Sequence, residues 1–367
     1  SLVASSAEKK GNPYRIGFKT IEGDDNFYYD IFDRNSTGNT DFYIGNEENE
    51  ISNLPYLLNI YEAINKQDGL ILTNLTRRAR EKGFKVLLNG DASDELFSGY
   101  GYFAEFYNDL EGLESFSSKF NRKVFRRLFP SFANVKYQQN SWINYHNIVP
   151  NNIDLLEPYL DLIQYNESRY ESWVNAIEKF DFIKSQRDKI MMAFTIDEIK
   201  TRLPRYLHRS DSYGMASSVE MRAPFLDIDL VKLAINTPTR LKLSRFSRIT
   251  NFNLTQKFIL KEVAKISKVP REIIYRRKKG TTFKHYSNMK KIVENISLDQ
   301  AAELLSVSEK RLKNSIVERT ASRNYPIESL SRYIYNILCT QVLSEIFVNQ
   351  SLPSDISKGF KDILKND

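Results

Sequence analysis

The sequence predicts an α/β fold, with a parallel-sheet core followed by a large helical portion, and three observations predict it. Two short apolar runs, Tyr14–Phe18 and Phe84–Leu88, read as buried strands, and the second ends in the turn signal Asn89-Gly90. A helical repeat over about Leu70–Lys82, stopped by Gly83, leads into that second strand. Beyond Lys189, helical periodicity dominates to the end of the chain. Strand, small polar turn and helix in succession is the grammar of a parallel sheet, whose ligands bind just beyond the carboxyl ends of the strands. The turn from Asn89 to Asp94 falls at that place.

Taken in order, Ser1–Lys10 reads as the body of an amphipathic helix with no capping segment before it, so the sequence reads as cut at its N-terminus. The stretch Asp24–Glu50, rich in Asp, Asn, Gly and Ser, reads as loop or short irregular strands. After the Asn89–Asp94 turn a helix is expected to begin near Glu95. Residues 110–190 are rich in aromatic and long polar side chains and carry no chemical motif; they read as a helical insertion. Glu328–Phe347 reads as an amphipathic helix, with Leu330, Ile334, Leu338, Val342 and Ile346 on one face. The expected division is therefore 1–109 as the α/β core, 110–190 as the insertion, 191–350 as the helical remainder and 351–367 as a frayed tail.

At 367 residues, 41% hydrophobic and 27% charged, the composition is that of a soluble globular protein. No uncharged apolar run is long enough to span a membrane, and no secretory leader is visible. The single cysteine, Cys339, excludes an internal disulfide framework and suits a reducing compartment, so the cytoplasm is the expected location. The formal charge of +7 is concentrated between residues 200 and 290, in Arg202, Arg205, Arg209, Arg222, Lys257, Lys261 and the run Arg276–Lys279. Such a surface attracts polyanions. No stacking motif, zinc finger or recognition helix accompanies it, which leaves solvated helix faces or a phosphate-binding pocket ahead of nucleic acid.

Three segments carry chemistry. In Asn89-Gly90-Asp91-Ala92-Ser93-Asp94-Glu95-Leu96-Phe97-Ser98-Gly99-Tyr100, three carboxylates fall within five positions at a helix start. Bunched carboxylates repel one another and need a cation, hydrogen bonds or solvent. Beside a helix N-terminus whose N–H groups receive an anion, they can hold Mg²⁺ bound to a nucleotide phosphate; the cluster also reads as an ordinary acidic first turn. In Asp211–Asp227, Glu220 and Arg222 are placed to pair, Pro224 opens a segment and Asp227 caps a helix, so this block reads as scaffold built around Met215 and Phe225. In Lys257–Phe283, lysines on a helix precede Arg276-Arg277-Lys278-Lys279-Gly280; a compact ammonium can neutralise a phosphate, and an exposed basic loop is the alternative. His146, His208 and His285 are far apart, lack metal-ligand spacing and are assigned no catalytic role. Cys339 reads as a core residue rather than a nucleophile.

In their order, these segments resemble the synthetase domain of the asparagine synthetase family. That family shows a Gly-Glu-Gly-Ser-Asp-Glu-type turn followed by Phe and a Gly-Tyr pair, then a Ser-Met-Ala … Glu-x-Arg-x-Pro-Phe-Leu-Asp block, then an Arg-x-Lys-x-Gly-Phe segment. Here they are Gly90–Tyr100, Gly214–Asp227 and Arg276–Phe283. The resemblance covers about residues 1–20, 70–108 and 195–350. It implies a nucleotide-binding core of ATP pyrophosphatase type, ATP and Mg²⁺ as cofactors, and amide formation on a carboxylate through an acyl-AMP, with aspartate as the default acid. It places Asp94 on the Mg²⁺ that accompanies pyrophosphate, Lys278 on the charge that accumulates during adenylation, and Ile16, Asn89 and Gly90 around AMP. Asp91 stands at the family's glutamate, which accepts a proton from incoming ammonia. Ammonia comes from a glutaminase domain, upstream or on a separate chain, and a homodimer is allowed. Three departures stand out: Asp91 is one methylene shorter, Ala92 replaces a glycine, and extra residues precede Phe283. Ser1–Ala4 matches the helix after the family's phosphate loop, so the loop is expected upstream of Ser1 and this fragment alone is expected to be inactive. The competing readings are a related ligase acting on a sugar acid or peptide, and a non-catalytic relative that keeps the fold.

Overall fold

The computed structural model describes residues 15–19, 30–31, 40–45, 47–63, 69–104, 106–107, 172, 175, 183, 185–244, 256–276, 286–321 and 327–365. The insertion 110–190 falls outside the described residues apart from 172, 175, 183 and 185–190.

Helices outnumber strands, and the strands pair in parallel. Strand β1 (Arg15–Lys19) pairs with β2 (Thr40–Ile44), with Ile16 opposite Asp41. Strand β3 (Val86–Leu88) pairs with β4 (Glu220–Arg222), with Leu88 opposite Arg222. β2 lies inside the stretch read from sequence as loop or irregular strand. Its Thr-Asp-Phe-Tyr-Ile core has good β formers, but the Asn and Gly residues around it masked the signal. β4 likewise interrupts a region read as scaffold and helix. Its central Met221 is half-buried while Glu220 and Arg222 are exposed, an alternation too short to register as a strand pattern.

Helix α1 (Glu47–Ser52), α2 (Leu54–Tyr61) and α3 (Gly69–Glu81) fill the space between β2 and β3. α3 packs against β1 and β2 and delivers the chain into β3 through Gly83, whose φ of +86° is a left-handed turn that a side chain would strain. The short α4 (Ser93–Leu96) starts two residues before Glu95 and is only one turn long. Helix α5 (Gln186–Asp197) runs into a π-helical turn, Glu198–Arg202, and then α6 (Leu203–Met215). Pro204 explains the widened turn, because it has no N–H to give to the carbonyl four residues back. Asp227 caps α7 (Ile228–Asn236) as expected, accepting from the N–H groups of Asp229 and Leu230. Glu220 and Arg222 pair as expected, at 2.8 and 3.2 Å. Met215 is more than half exposed, because it sits where α6 ends rather than in a packed turn.

After α8 (Phe258–Ile266) come α9 (Tyr286–Asn295), α10 (Asp299–Leu304), α11 (Glu309–Ala321) and α12 (Ile327–Phe347). The stripe Leu330, Ile334, Leu338, Val342 and Ile346 is buried as expected, and Tyr333, Tyr335, Ile337 and Cys339 join it. α12 is therefore the central helix of its cluster, packed by α9, α10 and α2, each buried aliphatic chain stabilising by about 1.5–3 kcal/mol. Cys339 is fully buried, and burial pushes its thiol pKa up. The segment read as a frayed tail is helix α13 (Pro353–Lys365). Phe360 and Leu364 are buried against α1, α2 and α9; their three-to-four-residue spacing was hidden by the surrounding Lys and Asp. Among the described residues no helix is long and apolar enough to cross a membrane.

Candidate active site

β3 ends at Leu88, and the Asn89 N–H continues the ladder by donating to the Arg222 carbonyl at 2.8 Å. The chain then turns sharply. Ala92, buried, takes a left-handed φ of 71°, a conformation that glycine reaches at no cost and a Cβ penalises by about 1–2 kcal/mol. That explains why a glycine stands here in the family motif. The strain is held by Leu96, Phe97, Leu203 and Ala234, which pack with Ala92 in one apolar cluster.

The turn presents its two aspartates differently. Asp91 Oδ2 accepts from Asn89 Nδ2 at 2.7 Å and from Ser210 Oγ of α6 at 2.7 Å, while the Asp91 N–H donates to Asn89 Oδ1 at 3.2 Å. Both side-chain bonds fall on Oδ2, so Oδ1 has no partner among the described residues. Asp94 instead meets a cation: Lys257 Nζ lies 2.9 Å from its Oδ1 and donates to Ser93 Oγ at 2.8 Å. Lys257 arrives there from just ahead of α8 with a left-handed φ of 51°. Gly99 makes the approach possible, since a Cβ on it would collide with the Asp94 carboxylate and with Lys257 Cε. One helical turn on, burial and then the charge of Lys257 push the Lys261 ammonium down to about 8.

Behind the turn lies a buried polar cluster. Glu95, 2% exposed, accepts from the Tyr100 hydroxyl at 2.6 Å; Tyr102 donates to Glu198 at 2.6 Å; Arg202 Nε sits 3.0 Å from the same Glu198 oxygen. Tyr100 and Tyr102 stack at 5.2 Å, and the Arg202 guanidinium lies 5.4 and 4.9 Å from their ring centroids. Burial first, and then the facing carboxylates, push both hydroxyls up, so they remain donors. The consecutive residues Asp94 and Glu95 thus face opposite ways, one to the lysine and one to this cluster.

Burial is also the main reason the Glu95 carboxyl is held above its ordinary value, outweighing the Tyr100 bond, with Asp94 and Glu198 adding to the rise. A raised folded-state value favours the protonated group in the folded protein. The stability it contributes is fully present below the ordinary glutamate value of 4.5 and is lost as pH rises through the folded-state value. Glu95→Gln, which keeps an acceptor for Tyr100 and cannot ionise, should therefore gain on the wild type as pH climbs from below 4.5 towards neutrality. Thermal melts of both proteins across that range check it; a constant difference in melting temperature would contradict it.

Of the residues singled out in the sequence, Asn89, Gly90, Asp91 and Asp94 come together on this one turn. Ile16 lies on β1, in the other strand pair, and Lys278 and Phe283 lie outside the described residues. Ser210 and the Glu198–Arg202 pair were not singled out as site residues. Ser210 has no motif of its own; the four-residue spacing of Glu198 and Arg202 just ahead of Pro204 is the signal that was there to find. Among the described residues no group of three or more His, Cys, Asp or Glu side chains could hold a metal by itself. A family model described as asparagine synthase matches residues 1–342. No curated protein sequence matches the chain.

Proposed function

Because the chain belongs to the asparagine synthase family, whose enzymes form amides at the expense of ATP, we propose that it activates a carboxylic acid as an acyl-adenylate and converts it to an amide with ammonia. Aspartate is the default acid, and glutamine, hydrolysed by a partner glutaminase domain, is the source of ammonia. The observation that carries this reading is the divided turn, with Asp94 set against a lysine and Asp91 held by an amide and a hydroxyl with one oxygen unengaged.

The chemistry follows from that division. A carboxylate oxygen attacks the α-phosphorus of ATP and pyrophosphate leaves, so negative charge grows on the leaving group. Lys257, already beside Asp94, is placed to meet that charge, and Lys278 is assigned the same role from its motif. A fixed cation in such a place is worth about 3–4 kcal/mol of barrier. Mg²⁺ usually keeps one or two carboxylates and completes its shell with phosphate oxygens and water, so a single aspartate such as Asp94 fits it. Bound there, the ion would neutralise pyrophosphate oxygens as they leave. Asn89, Gly90 and Ile16 are assigned to the AMP moiety. Ammonia then attacks the acyl carbon, Asp91 Oδ1 takes the proton released from nitrogen, and AMP departs with the original carboxylate oxygen.

Asp91→Asn should separate the two halves. Carboxylate-dependent ATP–pyrophosphate exchange should stay within a few-fold of the wild type, while ammonia-dependent amide formation falls about 10²- to 10⁴-fold, the usual worth of a general base. Equal loss in both assays would remove the proton-accepting role from Asp91. Offering aspartate, sugar acids and peptide acids to the full-length protein and measuring AMP release identifies the acid.

A further inference from the structure

A concavity of about 420 Å³ opens between α11 and α12 and shares no residue with the Asn89–Asp94 site. Arg311, Ser315 and Arg319 follow one another at four-residue intervals along α11, so they line one face of that helix. Lys310 adds a third cation to the wall, against the single acid Glu318. The nearby Glu309 is engaged by Lys313 at 3.0 Å, and among the described residues no ion pair reaches Lys310 or Arg311.

The back of the concavity is rigid. Tyr333 is buried, its hydroxyl lies 2.7 Å from Ser315 Oγ, and Ser315 Oγ in turn donates to the Leu312 carbonyl at 2.6 Å. The Arg319 guanidinium rests 4.6 Å from the Tyr333 ring centroid. The ring thus fixes where that guanidinium stands, and the hydroxyls are already engaged, so recognition falls on the three cations. Like charges gathered on one helix face repel, and a bound anion relieves that repulsion. Two guanidinium forks and an ammonium offer more donors than the two oxygens of a carboxylate accept, and they match the three terminal oxygens of a phosphate. The volume exceeds the needs of bare phosphate and leaves space for a small organic body.

We propose that this concavity is a second anion site, which binds a small phosphomonoester through Arg311, Arg319 and Lys310. It stands independently of the role given to the Asn89–Asp94 turn. The test is calorimetric titration of the intact chain with glycerol 3-phosphate and inorganic phosphate, in a Lys257→Met background so that the other site does not contribute. Saturable binding of one glycerol 3-phosphate per chain is expected. It should weaken at least tenfold in Arg311→Gln and be abolished in Arg311→Gln/Arg319→Gln, while Arg271→Gln, on another surface, leaves it unchanged. Arg311→Gln alone decides the matter if the double variant melts early, because Arg311 is exposed and makes no contact with Tyr333's ring that the fold requires. The proposal is overturned if neither probe binds, if acetate binds as tightly as phosphate, or if binding survives Arg311→Gln unchanged.

Discussion

Lys257→Met should lower carboxylate-dependent ATP–pyrophosphate exchange by about two to three orders of magnitude, the usual consequence of removing one fixed charge or donor from a developing anion. The lysine stands 2.9 Å from Asp94 and 2.8 Å from Ser93 Oγ, and Gly99 leaves no spare room beside it. Methionine keeps most of the length of the stem and removes the ammonium. Stability should move by no more than about 1 kcal/mol, because the pair is about a quarter exposed on each side and solvent screens it. Lys257→Arg should rescue little, since the broader guanidinium cannot fit where a single Cβ on Gly99 would already collide with the stem. Exchange within threefold of the wild type in Lys257→Met would show that the lysine meets no reacting charge.

The second large effect is on folding rather than chemistry. Arg202→Met should destabilise the protein by about 3–5 kcal/mol, as breaking one side of a buried ion pair does. The Glu198 side chain is fully buried, and Arg202 stands 3.0 Å from its oxygen while covering the faces of Tyr100 and Tyr102. Without the guanidinium the carboxylate keeps the Tyr102 hydroxyl but loses the charge that offsets its desolvation. Adding Glu198→Gln should recover a large part of the loss, because a neutral amide costs less to bury. Urea unfolding of the two single variants and the double variant measures this. A loss below about 1 kcal/mol for Arg202→Met would place the pair with exposed surface bridges instead.

Physical signal decided how much was legible in advance. α3, α12 and the β3 turn were readable because long periodicity, or an apolar run ending in Asn-Gly, leaves a local trace. β2 and β4 left almost none, being short and set among residues that also make loops. α13 was misread because its buried face is carried by few residues among many charges, and only its tertiary partners on α1, α2 and α9 reveal it. At the site, Asn89 to Asp94 could be named from sequence because they are contiguous and match a motif. Ser210 lies 119 positions from its partner Asp91, and Lys257 lies 164 from Ser93, so their roles exist only once the chain is folded. The long separations are also why the basic residues looked like a solvated face: Lys257 and Arg202 show their use only beside Asp94 and Glu198.

The central claim is that the carboxylate is activated as an acyl-adenylate at the Asn89–Asp94 turn. Its most direct test is isotopic. The full-length protein is supplied with ATP, Mg²⁺, ammonia and aspartate labelled with heavy oxygen in its side-chain carboxylate, and the nucleotide product is analysed by mass spectrometry. One labelled oxygen should appear in AMP for each amide formed, carried there when the acyl–oxygen bond breaks, and Asp94→Asn should suppress it. Label in inorganic phosphate alongside ADP, or amide formation with unlabelled AMP, would contradict the account.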